Sequence, residues 1–346
     1  MLDNASTKAT VAKIHSMYGK MLTQSNYREL LNKQSVSEIA AYLKKNTRYR
    51  DILSNIDTNT IHRGLFEILI KRCNFDTYVR LCKFQHLGTI SFYNYEIVRQ
   101  EIEQILSCMQ HLNAKNSEEY IETLPGYLIS HCSFDMIALA KSKTFDDILK
   151  VLKSTPYYKL LKDIKPDESG QIDYLKCEVI LRTQYYKNLL EMIEEKFRGR
   201  EASTLLGDVK SQIDLINIIN AYRLKAYYNS EVGFIKKNML PFYGKINQLQ
   251  MFKIYEAKDK EQMLELFQKS IYARRLNGID PEVVENNVYK IRLNYAKSAL
   301  RSAQSASVAL YSFMYLCEVE AINLISIVEG IRYKASPAYI EKLLII

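Results

Sequence analysis

The residues that most often carry chemistry in proteins are histidines, cysteines and paired carboxylates, and here they are scattered along the chain. The acidic pairs are adjacent in sequence, so on a helix their side chains point about 100° apart rather than toward one substrate. Such pairs occur at Glu118-Glu119, Asp146-Asp147 and Glu194-Glu195. The histidines stand alone, and they are His15, His62, His86, His111 and His131. Because no further ligand lies at metal-binding spacing from them, we predict neither a catalytic residue nor a metal site.

The sequence also lacks the motifs that bind nucleotides or build a nucleophile. Gly244-Lys245 has no preceding glycine at the spacing of a phosphate loop, and neither GxGxxG nor Gly-x-Ser-x-Gly occurs. No CxxC pair occurs, and most cysteines lie inside apolar helical runs, which indicates buried, reduced thiols. The six are Cys73, Cys82, Cys108, Cys132, Cys177 and Cys317. We expect no cofactor and no small-molecule substrate.

Length and composition are those of an ordinary globular protein. A chain of 346 residues can hold two or three domains, and 47% of the residues are hydrophobic and 25% charged. The N-terminal residues lack the apolar run of a signal peptide. No stretch approaches the roughly 18 uncharged apolar residues needed to span a bilayer. We therefore expect the chain to stay in the cytoplasm.

The net charge of +9, from 48 basic and 39 acidic residues, leaves three classes of partner open. These are nucleic acid, an anionic membrane surface and an acidic protein. A nucleic-acid module usually concentrates its charge on one stripe, whereas the basic clusters here are short and separated. They lie at Lys44-Lys45 with Arg48 and Arg50, at Lys236-Lys237 and at Arg274-Arg275. A solvated helix face is an alternative explanation for each single cluster.

One pattern occurs three times, and it predicts the elements around which the chain is organised. Each copy begins with a helix-capping residue, carries an acidic or amide residue three positions later, and has apolar residues four and eight positions after the cap. The caps and their apolar residues are Ser35, Ile39 and Leu43, then Thr144, Ile148 and Leu152, then Asp259, Met263 and Phe267. A Thr or Ser follows, and a tyrosine two residues after it. We predict a capped helix, a tight corner and a short helix capped by that Thr or Ser, with Pro156 at its first position in the middle copy.

Two further elements recur in the same order. The segment Ser117 to Leu124 returns at Ser336 to Leu343, and more loosely at Ser230 to Leu240. The segment Ile213-Asp214-Leu-Ile216-Asn217 returns as Val319-Glu320-Ala-Ile322-Asn323, with a weak echo between Glu96 and Ile105. The separations of 106 to 118 residues exceed the roughly 20 to 50 residues of a solenoid repeat. We predict a triplicated helical domain with boundaries at 1–116, 117–229 and 230–346.

The predicted fold class is all-α, because apolar spacings of three and four persist almost everywhere while strand-like alternation does not. Long helices are expected in three antiparallel hairpins joined by the capped units. The pairs cover 61–84 with 93–112, 174–197 with 202–228, and 289–301 with 307–333. Since the unit occurs three times, we predict three similar domains in a pseudo-threefold, funnel-like arrangement.

Tyrosine is the characteristic aromatic residue, with 26 copies and no tryptophan. Its side chain combines a large apolar surface with a polar tip, which suits helix corners and protein interfaces. The recurring unit places Tyr49, Tyr157 and Tyr272 at equivalent corners. We interpret these three as closing the corners of the repeats rather than as binding a ligand.

Together these segments resemble the C subunit of the archaeal and bacterial A/V-type rotary ATPases (V-type ATP synthases), whose eukaryotic counterpart is the d subunit of the vacuolar ATPase. The resemblance rests on the capped unit that occurs three times, on the segment from Asp208 to Lys225, and on the run from Glu318 to Ile325 leading into Ser336-Pro337. It covers nearly the whole chain. Its motifs are helical patterns rather than a catalytic string.

The resemblance implies a mechanical role. Members of that family are non-catalytic helical funnels on the cytoplasmic end of a membrane rotor ring, where they receive the foot of the central shaft and couple ATP hydrolysis or synthesis to proton or sodium transport. The partners implied are the central-shaft subunits and the rotor ring, with one copy per complex, no nucleic acid, and a peripheral location on the cytoplasmic face of the membrane. The interface residues are unknown at this point. The rival hypotheses are a basic scaffold that binds nucleic acid and a helical hydrolase with an unrecognised site.

Overall fold

The computed structural model describes residues 4–84, 91–275 and 280–346, and within these ranges it contains helices and no strand. The predicted all-α class is therefore confirmed. The chain forms two compact units. The first contains Met1–Leu87, Arg198–Asn229 and Tyr243–Ile346, and the second contains Gly88–Phe197 and Ser230–Phe242. The predicted division into three consecutive repeats, and their funnel-like arrangement, remain predictions.

The first unit is built from both ends of the chain and from part of its middle. Its helices are α1 (Asn4–Tyr18), α2 (Gln24–Leu31), α3 (Val36–Asn46), α4 (Arg50–Leu53), α5 (Arg63–Phe84), α12 (Gly199–Tyr228), α14 (Gln248–Tyr255), α15 (Lys260–Gln268), α16 (Val284–Arg301), α17 (Ala306–Arg332) and α18 (Pro337–Leu343). The second unit contains α6 (Tyr95–Asn113), α7 (Ser117–Glu122), α8 (Met136–Ala140), α9 (Phe145–Leu152), α10 (Pro156–Leu161), α11 (Tyr174–Lys196) and α13 (Val232–Lys237).

Helix α17 is the central helix of the first unit and packs against α1, α5 and α16. It is buried on almost all sides, as expected for a helix that is apolar around its whole circumference. In length and composition α17 could span a membrane, which was not expected from the sequence. Because 83% of its most apolar window is buried within the protein, packing accounts for that composition.

The two ends of the chain share one hydrophobic core in the first unit. Leu30, Ile39 and Phe66 from the N-terminal helices are fully buried in a cluster with Leu324 and Ile327 of α17. Each fully buried aliphatic side chain contributes about 1.5–3 kcal/mol to folding. The C-terminal residues are held in the same place, because Asn323 donates to the carbonyl of Ile345 and accepts from its N–H, at 2.9 and 2.8 Å.

The three capped helices form where they were predicted. The side chains of Ser35, Thr144 and Asp259 cap α3, α9 and α15 by accepting the backbone N–H three residues later. The polar residue at that third position reaches back one residue beyond the cap. Glu38, for example, accepts the N–H of Gln34 at 2.9 Å, and Gln262 accepts that of Lys258 at 2.7 Å. Both ends of the first turn are thereby hydrogen-bonded.

The first two corners differ from the prediction in the role of the threonine hydroxyl. Thr47 and Thr155 do not cap the following short helices, which lack a side-chain cap. Their hydroxyls instead donate to the carbonyls of Leu43 and Leu152, at 2.7 and 2.8 Å. The hydroxyl thus satisfies a carbonyl at the end of the preceding helix, where the last carbonyls have no partner within the helix. Pro156 occupies the first position of α10, as predicted.

The long helices pair differently from the expected hairpins. Helices α16 and α17 do pack together, but α5 packs on α17, α6 on α11 and α12 on α16. Helices α5 and α17 are antiparallel, since Arg63 at the start of α5 contacts Glu329 near the end of α17. Helices α6 and α11 are also antiparallel, because the ring of Phe92, before α6, packs edge-on against that of Phe197, after α11. Apolar periodicity predicts that a helix face is covered but not which helix covers it.

Candidate functional site

The three corner tyrosines each donate a hydrogen bond to a buried carboxylate on a long helix. Tyr49 bonds to Glu320 of α17, Tyr157 to Glu101 of α6, and Tyr272 to Asp214 of α12. We call each arrangement a carboxylate–tyrosine clamp. The tyrosines lie at the corners as predicted from the sequence, and the structure adds the partner that holds each one.

The clamp at Glu320 includes an arginine, unlike the other two as the structure describes them. Oε1 of Glu320 accepts from the Tyr49 hydroxyl at 2.9 Å and from Nε of Arg48 at 2.8 Å, and Oε2 accepts the N–H of Leu22 at 2.6 Å. Glu320 is 2% exposed and Tyr49 is fully buried. A buried carboxylate is tolerated when its charge is paired and its lone pairs accept hydrogen bonds, and this one meets both conditions.

The clamp at Glu101 lies in the second unit. Oε2 of Glu101 accepts from the Tyr157 hydroxyl at 2.5 Å, and Oε1 accepts the backbone N–H of Ser133. The Tyr157 ring also packs edge-on against Phe134. Among the residues that the structure describes, no cation forms an ion pair with Glu101. The carboxylate is therefore stabilised by dipolar donors alone.

The clamp at Asp214 uses two backbone donors from one loop. Oδ2 accepts from the Tyr272 hydroxyl at 2.6 Å and from the N–H of Ile246 at 3.1 Å, and Oδ1 accepts the N–H of Gly244 at 2.8 Å. A Cβ on Gly244 would lie 2.8 Å from the backbone carbonyl of Lys210 on α12. Glycine is required here because the loop approaches the helix too closely for a side chain.

The clamps share a local plan in which one carboxylate holds two points of the chain. Besides the tyrosine, each accepts a backbone N–H from one or two residues before the N-cap of a short helix. These donors are Leu22, Ser133 and Ile246, and the caps are Thr23 of α2, Asp135 of α8 and Asn247 of α14. Each carboxylate therefore connects its long helix to two places: the corner that carries the tyrosine and the start of another short helix.

The chemistry of the clamps is structural rather than catalytic. Burial, reinforced by the adjoining carboxylate, raises the pKa of Tyr157 and of Tyr272 above the ordinary range of tyrosine. Burial also raises the pKa of Asp214. The tyrosines therefore stay protonated at neutral pH and act as hydrogen-bond donors to the enclosed carboxylates. Each corner is thereby held against a long helix by buried hydrogen bonds.

A small cavity lies beside the Asp214 clamp in the first unit. It is lined by Asp208, Arg292, Tyr311, Ser312 and Tyr315 among others, and its volume is about 20 Å³. That volume suits a single water molecule and excludes a metabolite. Burial raises the pKa of Asp208 to about 6, against the opposing charges of Arg292 and Lys245.

This helical architecture can be compared with known families. The model of the ATP synthase (C/AC39) subunit family matches residues 10–343. The chain belongs to this family. The resemblance inferred from the recurring capped unit is thereby confirmed.

Relatives in the C/AC39 family share low identity with this member. The C subunit of the A-type ATP synthase of Methanosphaera stadtmanae is 23% identical over 337 residues, which cover 94% of this chain and 84% of the relative. The same subunit of Methanosarcina mazei is 26% identical, and the match covers 71% of this chain and 70% of the relative. That of Thermococcus kodakarensis is also 26% identical, but the match covers 62% of this chain and 56% of the relative.

Two histidines of this C/AC39 family member make local contacts. His62 accepts the N–H of Leu65 at the start of α5, and Nδ1 of His111 lies 2.8 Å from the carbonyl of Ser107. His86 lies outside the described residues. No group of three or more potential metal ligands occurs in the ranges that the structure covers.

The cysteines are free thiols, and burial suppresses their ionisation. Burial raises the pKa of Cys108, Cys132, Cys177 and Cys317 to about 12. Because the thiolate is the nucleophile, these residues are unreactive at neutral pH.

Residues of the basic clusters make separate local contacts. Arg48 is buried in the Glu320 clamp, and Lys44 donates to the carbonyl of Ile56 at 3.0 Å. Asp147, from one of the acidic pairs, accepts from Lys150 at 3.0 Å. These groups stabilise helices and corners.

The clamp carboxylates were missed as functional residues, although the sequence contained an indication. Asp214 and Glu320 occupy the same place in a recurring, otherwise apolar element, and Glu101 lies in its weak echo. An acidic residue retained at one position of an apolar helix predicts a buried partner. The tyrosine also recurs three times, but no short-range sequence pattern links a tyrosine to the carboxylate that it bonds.

Proposed function

We propose that this chain is a non-catalytic subunit of the central stalk of an A/V-type rotary ATPase, linking the central shaft to the membrane rotor ring. The observation that carries the proposal is the family match over residues 10–343. The relatives are named as C subunits of A-type ATP synthases. In this role the chain couples ATP hydrolysis or synthesis to proton or sodium transport without a substrate of its own.

The clamps support a part that transmits torque. A linker between a shaft and a ring must keep its shape under load, and buried hydrogen-bonded carboxylates at the corners oppose the sliding of short helices on long ones. The proposed location is peripheral, on the cytoplasmic face of the membrane, with one copy per complex. The proposed partners are the shaft subunits and the ring, and nucleic acid is not among them.

Binding to the two partners tests the proposal. The tagged full-length chain is mixed separately with purified shaft subunits and with the detergent-solubilised ring from the same organism, and each mixture is captured on the tag. We expect both to be retained in one-to-one complexes. Retention of neither would remove the proposal. Salt-sensitive retention of duplex DNA in place of both would favour the nucleic-acid scaffold.

A further inference from the structure

The corner formed by α8, α9 and α10 in the second unit carries an unusual set of exposed cations. Residues 141–165 contain seven lysines and three aspartates, a net charge of +4. Lys150 pairs with Asp147. The other six are exposed, and none forms an ion pair in the part of the chain that the structure describes. We call them the lysine surface, and they are Lys141, Lys143, Lys153, Lys159, Lys162 and Lys165.

The local fold directs these lysines outward. Ile148 and Leu152 of α9, and Tyr157 and Leu161 of α10, are buried in the unit. Only Lys159 lies within one of these helices. Lys141, Lys153 and Lys162 are the C-caps of α8, α9 and α10, and Lys143 and Lys165 lie in the segments that follow α8 and α10. A cation near the C-terminus of a helix interacts favourably with the helix dipole. This effect accounts for the three C-cap lysines but not for Lys143, Lys159 and Lys165.

The equivalent corners of the other two repeats provide an internal comparison. In the first, Lys44 bonds to a carbonyl, Arg48 is buried against Glu320, and Arg50 bonds to the carbonyl of Lys45. In the third, Lys258, Lys260 and Lys269 each have a carboxylate within 4.0 Å. Most cations of these two corners are therefore engaged, although Lys45 and Arg274 are exposed without an ion pair among the described residues. A set of six unpaired lysines is not a requirement of the fold.

We propose that the lysine surface docks on the anionic phospholipid headgroups of the membrane. This deepens the proposed function, on which it rests, by naming the part of the second unit that faces the bilayer. All six cations are lysines, whose mobile ammonium groups suit a diffuse anionic surface. Protein interfaces are instead depleted in lysine and enriched in arginine. The planar guanidinium of arginine binds a carboxylate through two parallel hydrogen bonds.

An exposed apolar residue accompanies the charges. Ile137 of α8 is 47% exposed, and it lies four residues before Lys141, so the two share a helix face. An apolar side chain among lysines is the combination found on proteins that rest on a membrane interface. An acidic protein surface would leave Ile137 without a role.

Vesicle binding by two charge-matched variants tests the proposal. The test variant is K153Q/K159Q/K162Q, and the control is K258Q/K260Q/K269Q in the equivalent corner, which removes the same charge. Full-length proteins are sedimented with vesicles of phosphatidylcholine, alone or mixed with phosphatidylglycerol. Each lysine near an anionic surface contributes a factor of about five in binding. We expect the test variant to lose on the order of 100-fold in affinity for anionic vesicles, and the control far less.

Three results would overturn the proposal: no preference of the wild type for anionic vesicles, equal losses in the two variants, or vesicle binding that the test variant retains. If the test variant loses capture by the shaft subunits while vesicle binding is unchanged, the lysines serve an acidic protein and the membrane proposal fails. If the test variant still binds the shaft and the ring, the proposed function stands regardless of the vesicle-binding result. Failure of the membrane proposal can therefore be distinguished from failure of the proposed function.

Discussion

The hydroxyl of Tyr49 lies 2.9 Å from Oε1 of Glu320, although 271 residues separate the two in sequence. Arg48 approaches the same oxygen at 2.8 Å. The N-terminal corner and the central helix α17 are therefore joined at one buried, charged point, and the two ends of the chain stabilise each other there. The clamps of Tyr157 and Tyr272 join residues 56 and 58 apart.

Removing the carboxylate of this clamp will leave Arg48 buried without a partner. We expect Glu320→Ala to lower the free energy of unfolding by about 3–5 kcal/mol, the usual cost of breaking a buried pair from one side. Urea denaturation followed by circular dichroism measures it. The control is Glu285→Ala, whose bond to Arg223 is exposed, and its cost should stay below about 1 kcal/mol. Equal costs would show that Glu320 holds nothing together.

The middle clamp can be tested by removing a single oxygen. Tyr157→Phe deletes the donor to Glu101 and leaves the packed ring in place, so we expect a loss of about 1.5–3 kcal/mol, as for hydrogen bonds to charged groups. Tyr158→Phe is the matched control, because its neighbouring ring is only half-buried and makes no such bond. Chemical denaturation of the two variants gives the comparison. A Tyr157 variant as stable as that of Tyr158 would contradict the clamp.

Gly244 permits the close approach of its loop to α12. In Gly244→Ala the new methyl group would meet the backbone of Lys210 and a carboxylate oxygen of Asp214, so the loop must move. We expect a loss of about 1–3 kcal/mol and faster hydrogen exchange at the amides of Gly244 and Ile246. The control Gly207→Ala lies within α12 with open space around it, and it should stabilise the protein by about 0.5–1 kcal/mol. Unchanged exchange at both amides would refute the close-approach argument.

Asp208 predicts a dependence of stability on pH. Its folded pKa of about 6 exceeds the ordinary value of 3.8, because burial disfavours the carboxylate. The protonated form therefore favours folding, and this contribution is complete below pH 4 and is lost as the pH rises through 6. Asp208→Asn should match the wild type at pH 4 and be more stable by up to about 3 kcal/mol at pH 8. Thermal or urea unfolding at the two pH values measures the difference, and an equal effect at both would contradict the shift.

Asp147 provides a comparison of opposite sign. Hydrogen bonds from Lys150 and Thr144 lower its pKa to about 2, so its contribution is present at neutral pH and is lost as the pH falls through 2. We expect Asp147→Asn to be less stable than the wild type at pH 7 and to converge with it in strong acid. The same unfolding series measures both variants, and convergence at high pH instead would refute the assignment.

Local interactions explain why so much of the helical structure could be predicted. Ser35, Thr144 and Asp259 bond to a backbone N–H three residues away, so the start of each capped helix is specified by four consecutive residues. The long helices were also predicted close to their observed bounds, as in 174–197 for α11 (Tyr174–Lys196). The corner prediction was wrong about the hydroxyl, which in Thr47 and Thr155 bonds back to the preceding helix. In the third copy the short element is a 3₁₀ turn, Ala273–Arg275.

The sequence by itself determined the class of fold, the three capped corners with their tyrosines, and the family resemblance, because each depends on residue types at short, regular spacing. Only the tertiary structure decided which carboxylate each tyrosine bonds and which long helices pair. Tyr49 finds Glu320 from 271 residues away, and α5 packs on α17 rather than on α6. The sequence shows that an apolar face must be covered and that a buried hydroxyl must be hydrogen-bonded. Which of several distant, chemically equivalent partners does so is decided by the packing of the whole unit.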